Sequence, residues 1–508
     1  MSLPAPTVEY AQVCPMLIVF GAAIVGVLIE AFVARPRRYR AQLGLSLGSL
    51  VASLIAVVVL ARPSGPAVMG AITLDGPSLF LQGAILLIGI VAAALIAEHR
   101  LVAFAPQGSA VPGSHDENRA AEAGFIQTEV FPLTMLSIGG MLVFVAAGDL
   151  LTMFVALEVF SLPLYVLCGL ASRRRLLSQE AALKYFLLGA FASAFFLFGI
   201  AMLYGYAGTL SLSGIGEAIT TGGGQRSLAL IGVALLSVGL LFKVGAVPFH
   251  SWVSDVYQGA PTPITAFMAA ATKIAAFGAV LRVFYVALPG LIGDWRPVLS
   301  AAAVLSMVVA AVLTVTQRNV KRLLAYSSVT NAGFLLIGTV AANDAGLSST
   351  LFYLIAYGFT AVGAFGLAGL VLTETGDEEA DLREWTGLGR RHPLFAAVFG
   401  LFLLAMAGIP LTSGFVSKFA VFTAAMAGGV GFLVVIGVIS SVIAAYAYVK
   451  VIVAMYFYDP AAPATTTVSV PGWLASTAIT VGAAVTVGLG IAPQTVLELA
   501  SQAGHFIR

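Results

Sequence analysis

Apolar runs of roughly 18 or more residues recur along almost the whole chain, separated by short polar connections. A run of that length forms a helix able to cross a bilayer, because about 20 residues at about 1.5 Å each span the hydrocarbon layer. Fourteen such helices are predicted, near 12–34, 42–61, 77–97, 129–147, 150–171, 181–206, 227–258, 261–288, 296–317, 322–342, 346–373, 393–424, 428–458 and 471–496. Two of these runs, 227–258 and 393–424, are too long for one straight helix. Each is interrupted by proline, at Gly245-Ala246-Val247-Pro248 and at Ala407-Gly408-Ile409-Pro410. Proline removes a backbone donor and clashes with the preceding turn, so both spans are predicted to break. They lie five spans apart and so cross the membrane in opposite directions. Paired broken helices of opposite direction suggest an inverted repeat with its sites at the breaks. The expected fold is an all-α polytopic membrane protein.

Four polar connections are longer than the rest: 98–128 (with Pro112-Gly113-Ser114-His115-Asp116-Glu117), 207–226, 374–392 and 459–470. All read as surface loops, since none is large enough to bury a core. Met1 to Val13 lacks a basic stretch and a cleavage site, so the first apolar run reads as a retained helix. One face of the bundle collects Arg35, Arg37, Arg38, Arg40, Arg100, Arg119, Arg173, Arg174, Arg175, Arg318, Lys321, Arg322, Arg383, Arg390 and Arg391; the other has Arg62, Arg226, Arg296 and Arg508. Basic loops stay in the cytoplasm, which predicts both termini outside.

Composition agrees with this class: 60% apolar residues, 9% charged and a mean hydropathy of +1.01 exclude a soluble domain. Cys14 and Cys168 form no disulfide, zinc or cluster pattern, and no dinucleotide or phosphate-loop motif is present. The six lysines change the picture. Lys184, Lys243, Lys273, Lys418 and Lys450 sit in apolar stretches, and only Lys321 reads as part of a polar loop. An ammonium near the bilayer centre costs roughly 2.5–3.5 kcal/mol on insertion scales, so such residues usually face protein or water and mark ion or proton paths. A buried lysine can also release its proton, whereas arginine stays charged. An arginine-rich composition would explain the scarcity of loop lysines, but not their persistence where charge is costly.

Lys243 lies sixteen residues before the turn at Gly259 and Lys273 fourteen after it, so the two reach similar depths on neighbouring antiparallel helices. A hydrated route that a proton crosses in steps would use that arrangement. Glu158 is the acidic counterpart in the fifth span, with Lys184 or Lys243 as its expected partner. Such a pair is either a pin between helices or a switch governing the lysine's proton. Lys418 follows the second break and would mark the exit half of the path. His250, just after Pro248, reads as a relay or, by preference, as a cap on the broken helix. Lys450 reads as snorkelling to a nearby loop, and Glu30 and Arg282 as interfacial.

Three motifs resemble the antiporter-like subunits of respiratory complex I. The first is Leu241-Phe242-Lys243-Val244-Gly245-Ala246-Val247-Pro248-Phe249-His250-Ser251-Trp252, followed by Asp255-Val256-Tyr257-Gln258-Gly259-Ala260-Pro261. The second is Asn319-Val320-Lys321-Arg322-Leu323-Leu324-Ala325-Tyr326-Ser327-Ser328, and the third is Ala407-Gly408-Ile409-Pro410-Leu411-Thr412-Ser413-Gly414-Phe415. The Asp255–Pro261 form is more similar to subunit N than to subunits L or M. The resemblance implies fourteen helices with two inverted five-helix repeats: residues 1–128 as three N-terminal helices with a cytoplasmic loop, 129–288 as helices 4–8, 289–458 as helices 9–13, and 459–508 as the last helix.

By the same resemblance Glu158, Lys184, Lys243, Lys273 and Lys418 take the places of the family's proton-transfer residues. Where many family members have a histidine after Tyr-Ser-Ser, this chain has Asn331, which cannot take up a proton. The implied role is a proton-translocating membrane-arm subunit of an NADH:quinone oxidoreductase in the bacterial inner membrane. No cofactor is expected in this chain; NADH, FMN, iron–sulfur clusters and quinone belong to other subunits. Expected partners are adjacent antiporter-like and small membrane subunits and lipids, with no nucleic acid. The rival readings are a subunit of an Mrp-type cation/proton antiporter or membrane-bound hydrogenase, and a non-pumping scaffold.

Overall fold

Asp75, Asp149, Asn319 and Asn343 each begin a helix by accepting a hydrogen bond from a backbone N–H in its first turn. Short polar side chains at these positions satisfy the amides a helix start leaves free, which is how so apolar a chain keeps its helices in register. The computed structural model describes residues 8–59, 63–98, 103–106, 114–123, 125–172, 175–374, 376–459 and 466–507. Arg62, Arg100, Arg173, Arg174 and Arg508 of the charge count, and Pro112 and Gly113 of the 98–128 connection, lie outside the described residues.

The chain is almost entirely helical. Helices α1 (Tyr10–Phe32) and α2 (Arg35–Val59) lead through a two-stranded turn, β1 (Gly65–Ala67) with β2 (Ile72–Leu74), to α3 (Gly76–Ile96). A short α4 (His115–Glu122) precedes α5 (Val130–Ala146), α6 (Leu150–Cys168), α7 (Arg175–Ala207), α8 (Leu212–Thr221), α9 (Arg226–Val244) and α10 (Ser251–Gly259). Next come α11 (Thr262–Ala287), α12 (Ile292–Thr316), α13 (Val320–Ala341), α14 (Asp344–Ala368), α15 (Leu388–Arg391), α16 (Pro393–Ala407), α17 (Ser413–Ala427) and α18 (Gly431–Phe457). Helices α19 (Trp473–Ile491) and α20 (Gln494–Gln502) close the chain. Among the described residues twelve helices are long and apolar enough to cross a membrane, and α5, α16 and α17 are shorter apolar helices. The chain is a polytopic, all-α membrane protein.

Both proline-bearing runs are broken. Helix α9 stops at Gly245 (φ 76°) and α10 begins six residues later; α16 stops at Gly408 (φ 86°) and α17 begins at Ser413. The left-handed glycine closes each helix, because its amide can turn back onto a carbonyl of the last turn.

The longer connections are not plain loops. Residues 207–226 carry α8, whose Leu212 and Ile215 are buried. Within 374–392, Trp385 is fully buried against Phe399, their rings 5.1 Å apart. Residues 466–468 form β4 (Thr466–Val468), antiparallel to β3 (Val371–Thr373). Apolar spacing over so few residues is too sparse to predict them; packing on the bundle makes them.

The helices sort into an inner and an outer set. α11 is buried along its length, and α13 and α14 are nearly so. On α1, α7 and α18 large apolar side chains point outward, among them Ile24, Val27, Phe191, Phe198, Val442 and Tyr446. An apolar outer surface matches lipid tails, while the inner helices meet only protein and so accommodate polar side chains. The lysines of interest lie on the inner set and its neighbours.

Candidate functional site: buried lysines and a central relay helix

Lys243 stands in the last turn of α9 and is buried. Its ammonium donates to Ser161 Oγ on α6 at 2.7 Å and to Tyr185 Oη on α7 at 3.2 Å. The Phe160 ring lies 4.5 Å away, a cation–π contact. Lys273 is also buried and follows a π-helical stretch of α11, Met268–Thr272. It donates to the Ser328 carbonyl of α13 at 2.6 Å and lies 5.5 Å from the Tyr357 ring. Lys418, on α17, donates to the carbonyls of Met406 (3.0 Å) and Ala407 (2.9 Å) and to Ser441 Oγ (2.8 Å). It thus caps the C-terminal end of the broken helix α16, where unpaired carbonyls and the helix dipole favour a cation.

None of these three ammonium groups has a carboxylate within 4.0 Å among the described residues. Buried charges are ordinarily paired. These are held by hydroxyls, carbonyls and ring faces, which also tolerate a neutral amine.

Helix α13 joins the second lysine to the third. Asn331 Nδ2 donates to the Ser327 carbonyl at 2.9 Å, and Asn331 Oδ1 accepts from Tyr353 Oη at 2.7 Å. Ser327 Oγ is 2.5 Å from Tyr448 Oη and 3.4 Å from Met406 Sδ. The Met406 carbonyl holds Lys418. Asn331 therefore sits inside a chain of polar groups, with tyrosine and serine groups around it.

Gly408 makes the seat of Lys418. A Cβ there would lie 2.9 Å from Lys418 Cδ, on a backbone with φ 86°. Gly408→Ala is expected to cost roughly 1–2 kcal/mol of strain and to push the ammonium off the Met406 and Ala407 carbonyls. A lowered midpoint of thermal inactivation in the purified protein checks this; an unchanged midpoint would show that the seat relaxes freely.

Several sequence expectations need correction. Lys184 does not meet Glu158: it pairs with Asp255 at 2.8 Å and Glu180 at 2.6 Å. The side chain points along α7 towards the end of α10, and is 41% exposed. Glu158 makes no ion pair with Lys243 either, and its Oε1 is buried without a hydrogen-bond partner. It lies one turn before Ser161, the serine that holds Lys243. His250 occupies the cap position of α10 but makes no capping hydrogen bond; its ring lies 6.5 Å from that of Tyr326. Lys450 is exposed on the outer surface of α18.

Lys321 is not in a loop. It is buried in the first turn of α13, donating to Glu378 at 3.0 Å and to the Ala260 carbonyl at 3.2 Å. Arg322 beside it reaches Asp255 (2.8 Å) and Gln258 (3.0 Å). The start of α13 therefore grips the α10–α11 turn from both sides. Arg282, near the end of α11, is walled in by protein. It is 1% exposed and pairs at 2.7 Å with Asp75, which is 0% exposed. Its position near the end of an apolar run hid a partner 207 residues away. Glu30 accepts from Gln42 (2.6 Å), Thr128 (2.9 Å) and Arg38 (3.4 Å) at the end of α1. Among the described residues no group of three or more His, Cys, Asp or Glu side chains could hold a metal ion.

The transmembrane family described as NADH:quinone oxidoreductase/Mrp antiporter matches residues 147–444, more than half of the chain. NADH-quinone oxidoreductase subunit N of Rhodococcus opacus strain B4 is 61% identical, covering 100% of this chain and 98% of that protein. The protein of the same name from Mycobacterium tuberculosis H37Rv is 59% identical over 100% of both chains. Among solved structures, respiratory complex I from Thermus thermophilus with bound aureothin contains a chain that is 30% identical, with a TM-score of 0.77 over 96% of this chain and 99% of that one. A chain of the Mrp complex from Dietzia sp. DQ12-45-1b has a TM-score of 0.78 at 22% identity, over 98% and 97% of the two chains, a likeness of fold. The identity over the full length and the matched transmembrane family agree: the chain belongs to the NADH-quinone oxidoreductase subunit N family.

Proposed function

We propose that this chain is a proton-translocating membrane-arm subunit of an NADH:quinone oxidoreductase, driven by redox chemistry in other subunits. The observation that carries the reading is that Lys243, Lys273 and Lys418 are all buried and have no carboxylate within 4.0 Å among the described residues. Lysines kept only to pin helices would be ion-paired. A lysine held by neutral acceptors can change its protonation without breaking a salt bridge.

In the proposed cycle a proton enters from the side of the arginine-rich loops and loads Lys243 or Lys273. It moves along the hydroxyl and amide chain of α13 to Lys418 and leaves on the other side. Glu158 acts as the switch: its unpaired oxygen lies one turn from Ser161, so a shift of α6 changes the field at Lys243. His250 serves as a relay beside the break. Fourteen spans, with each broken run counted once, inverted repeats at helices 4–8 and 9–13, and both termini outside complete the proposal. Its partners are the adjacent antiporter-like and small membrane subunits, with NADH, FMN, iron–sulfur clusters and quinone handled elsewhere. The names of the relatives favour this over an Mrp-type antiporter, whose likeness here is of fold.

Co-purification in mild detergent tests the setting: the chain is expected to bring membrane-arm subunits of the oxidoreductase with it. Lys273→Arg tests the chemistry, because arginine keeps the charge but does not release its proton. NADH-driven proton uptake by inverted vesicles is expected to fall about tenfold or more. Full pumping by the arginine variant would show that deprotonation at this position is unnecessary.

A further inference from the structure

We propose that the seam between α9 and α12 is a phospholipid site. Its cavity takes one acyl tail from the leaflet opposite the arginine-rich loops, and the Arg226–Asp294 pair at its mouth receives a phosphoethanolamine head.

The seam is open because each helix packs the other way. Helix α9 lies so close to α7 that a Cβ on Gly199 would stand 2.6 Å from the Leu236 backbone nitrogen. Helix α12 lies as close to α13, where a Cβ on Gly333 would stand 2.9 Å from the Met307 backbone nitrogen. Small residues permit such approaches between membrane helices. Polar contacts bridge the seam at its two ends. At one end Arg226 Nη2 donates to both oxygens of Asp294 at 3.1 Å, and at the other the Val247 N–H donates to Ser306 Oγ at 2.9 Å. Between them lies a cavity of about 610 Å³, within the roughly 300–1,000 Å³ of small-molecule sites.

Its walls are Leu230, Val233 and Leu241 from α9 and Val298, Ala302 and Leu305 from α12. The polar groups among them are already engaged. Ser237 Oγ donates to the Val233 carbonyl at 2.6 Å, and the Trp295 indole N–H to the Leu288 carbonyl at 2.8 Å. Water needs several polar partners to occupy a cavity, so this one suits hydrocarbon. Leu241 stands eleven residues after Leu230, and Leu305 eleven after Asp294. At 1.5 Å per residue that is about 16 Å, roughly half of the hydrocarbon layer and so the depth of one leaflet. Ala234, Val298, Ala301 and Leu305 are exposed, so the cavity opens sideways, where lipid tails lie in a membrane.

The mouth supplies the charge. Arg226 is 72% exposed, and its Nε and Nη1 have no protein partner among the described residues. Helix α9 begins at Arg226 without a side-chain cap, so its free amides and dipole favour an anion there. A phosphate fits that side of Arg226, and an ammonium fits Asp294 beside it. The pair matches a head carrying both charges, whereas a purely anionic head is repelled by Asp294. At the foot, the tail meets Pro248 and Phe249 and covers the break after α9 on its membrane side.

The test uses the assembled oxidoreductase in vesicles doped with a phosphatidylethanolamine that carries a photoreactive diazirine near the end of one tail. Attachment is mapped by peptide mass. The expected result is attachment to residues 241–249 and 298–306 at a yield about tenfold above that on the exposed face of α18. Equal yields on the two faces would mean lipid held only as part of the surrounding bilayer, and would overturn the site. A probe with the same tails and a phosphoglycerol head is expected to attach about tenfold less; parity of the two heads would overturn the role of the Arg226–Asp294 pair. Ala301→Trp fills the opening from α12, and Ala234→Phe from α9. Each is expected to abolish attachment in the seam and to leave that on α18 unchanged, and undiminished attachment in both would place the lipid elsewhere. Attachment that appears only after the complex is dissociated would show a neighbouring subunit's helix in the seam and refute the proposal. Labelling is read without turnover, so the outcome is independent of proton translocation.

Discussion

In the assembled oxidoreductase, a Lys243→Ala chain is expected to lose proton pumping by roughly a hundredfold, within the range for removal of a positioned proton-transfer group, while the complex still assembles. The geometry separates the two effects. Lys243 is held by Ser161, Tyr185 and the Phe160 ring, none of them an anion. Removing it breaks no ion pair, and Ser161 keeps its own bond to the Leu157 carbonyl. What remains is a packing gap. Lys243→Met fills most of that gap without restoring an amine, so it is expected to match the alanine variant in pumping and the parent in stability. NADH-driven acidification of inverted vesicles and the yield of purified complex are the two measurements. Pumping at the parent level by the methionine variant would show that the amine has no part in transfer.

Arg282→Ala is expected to have the opposite profile. It leaves Asp75 ionised, fully buried and without its cation, and breaking one partner of a buried pair typically costs about 3–5 kcal/mol. The backbone is affected too. Asp75 caps α3 through Ser78 (3.0 Å), and Arg282 also donates to the Val145 carbonyl at 3.0 Å. One side chain therefore ties α11 to the start of α3 and the end of α5. The expected readout is a chain that fails to accumulate in the membrane. Replacing both members with uncharged residues, Asp75→Asn with Arg282→Met, is expected to recover much of the loss, because neither charge is then left alone. Normal accumulation of Arg282→Ala by itself would refute this account.

The contrast explains what could be read from the amino-acid order. Helices were legible because each needs a long apolar run, and the breaks because Pro248 and Pro410 forbid continuity. The buried lysines stood out because charge is rare there. What stayed hidden were partners distant in sequence. Lys184 was matched with Glu158 on hairpin proximity, yet the side chain leans along α7 to Asp255 on a helix 71 residues on. The partner of Arg282 was hidden as well, because distance from a helix end says nothing about Asp75 across the bundle. Lys321 was read as a loop residue because it stands in the mostly polar stretch from Gln317 to Arg322. That stretch leads into a helix start packed under the 374–392 segment, which depth along a single helix does not reveal. Asn331 lacks the proton chemistry of histidine, and only the packed structure supplies the tyrosines around it.

Helix α11 carries a further consequence, for the making of the protein. It is buried on every side in the finished bundle, yet it holds Lys273 and Arg282. A cation at the centre of a lone inserted helix costs roughly 2.5–3.5 kcal/mol. The carboxylate that relieves Arg282 is already in the membrane on α3, but the carbonyl that receives Lys273 belongs to α13, which the ribosome has not yet made. Synthesis therefore passes through a stage in which one of the two charges is settled and the other is not. The early helices act as a docking frame for α11, and the nascent chain holds an unsatisfied lysine until α13 emerges to complete the wall around it.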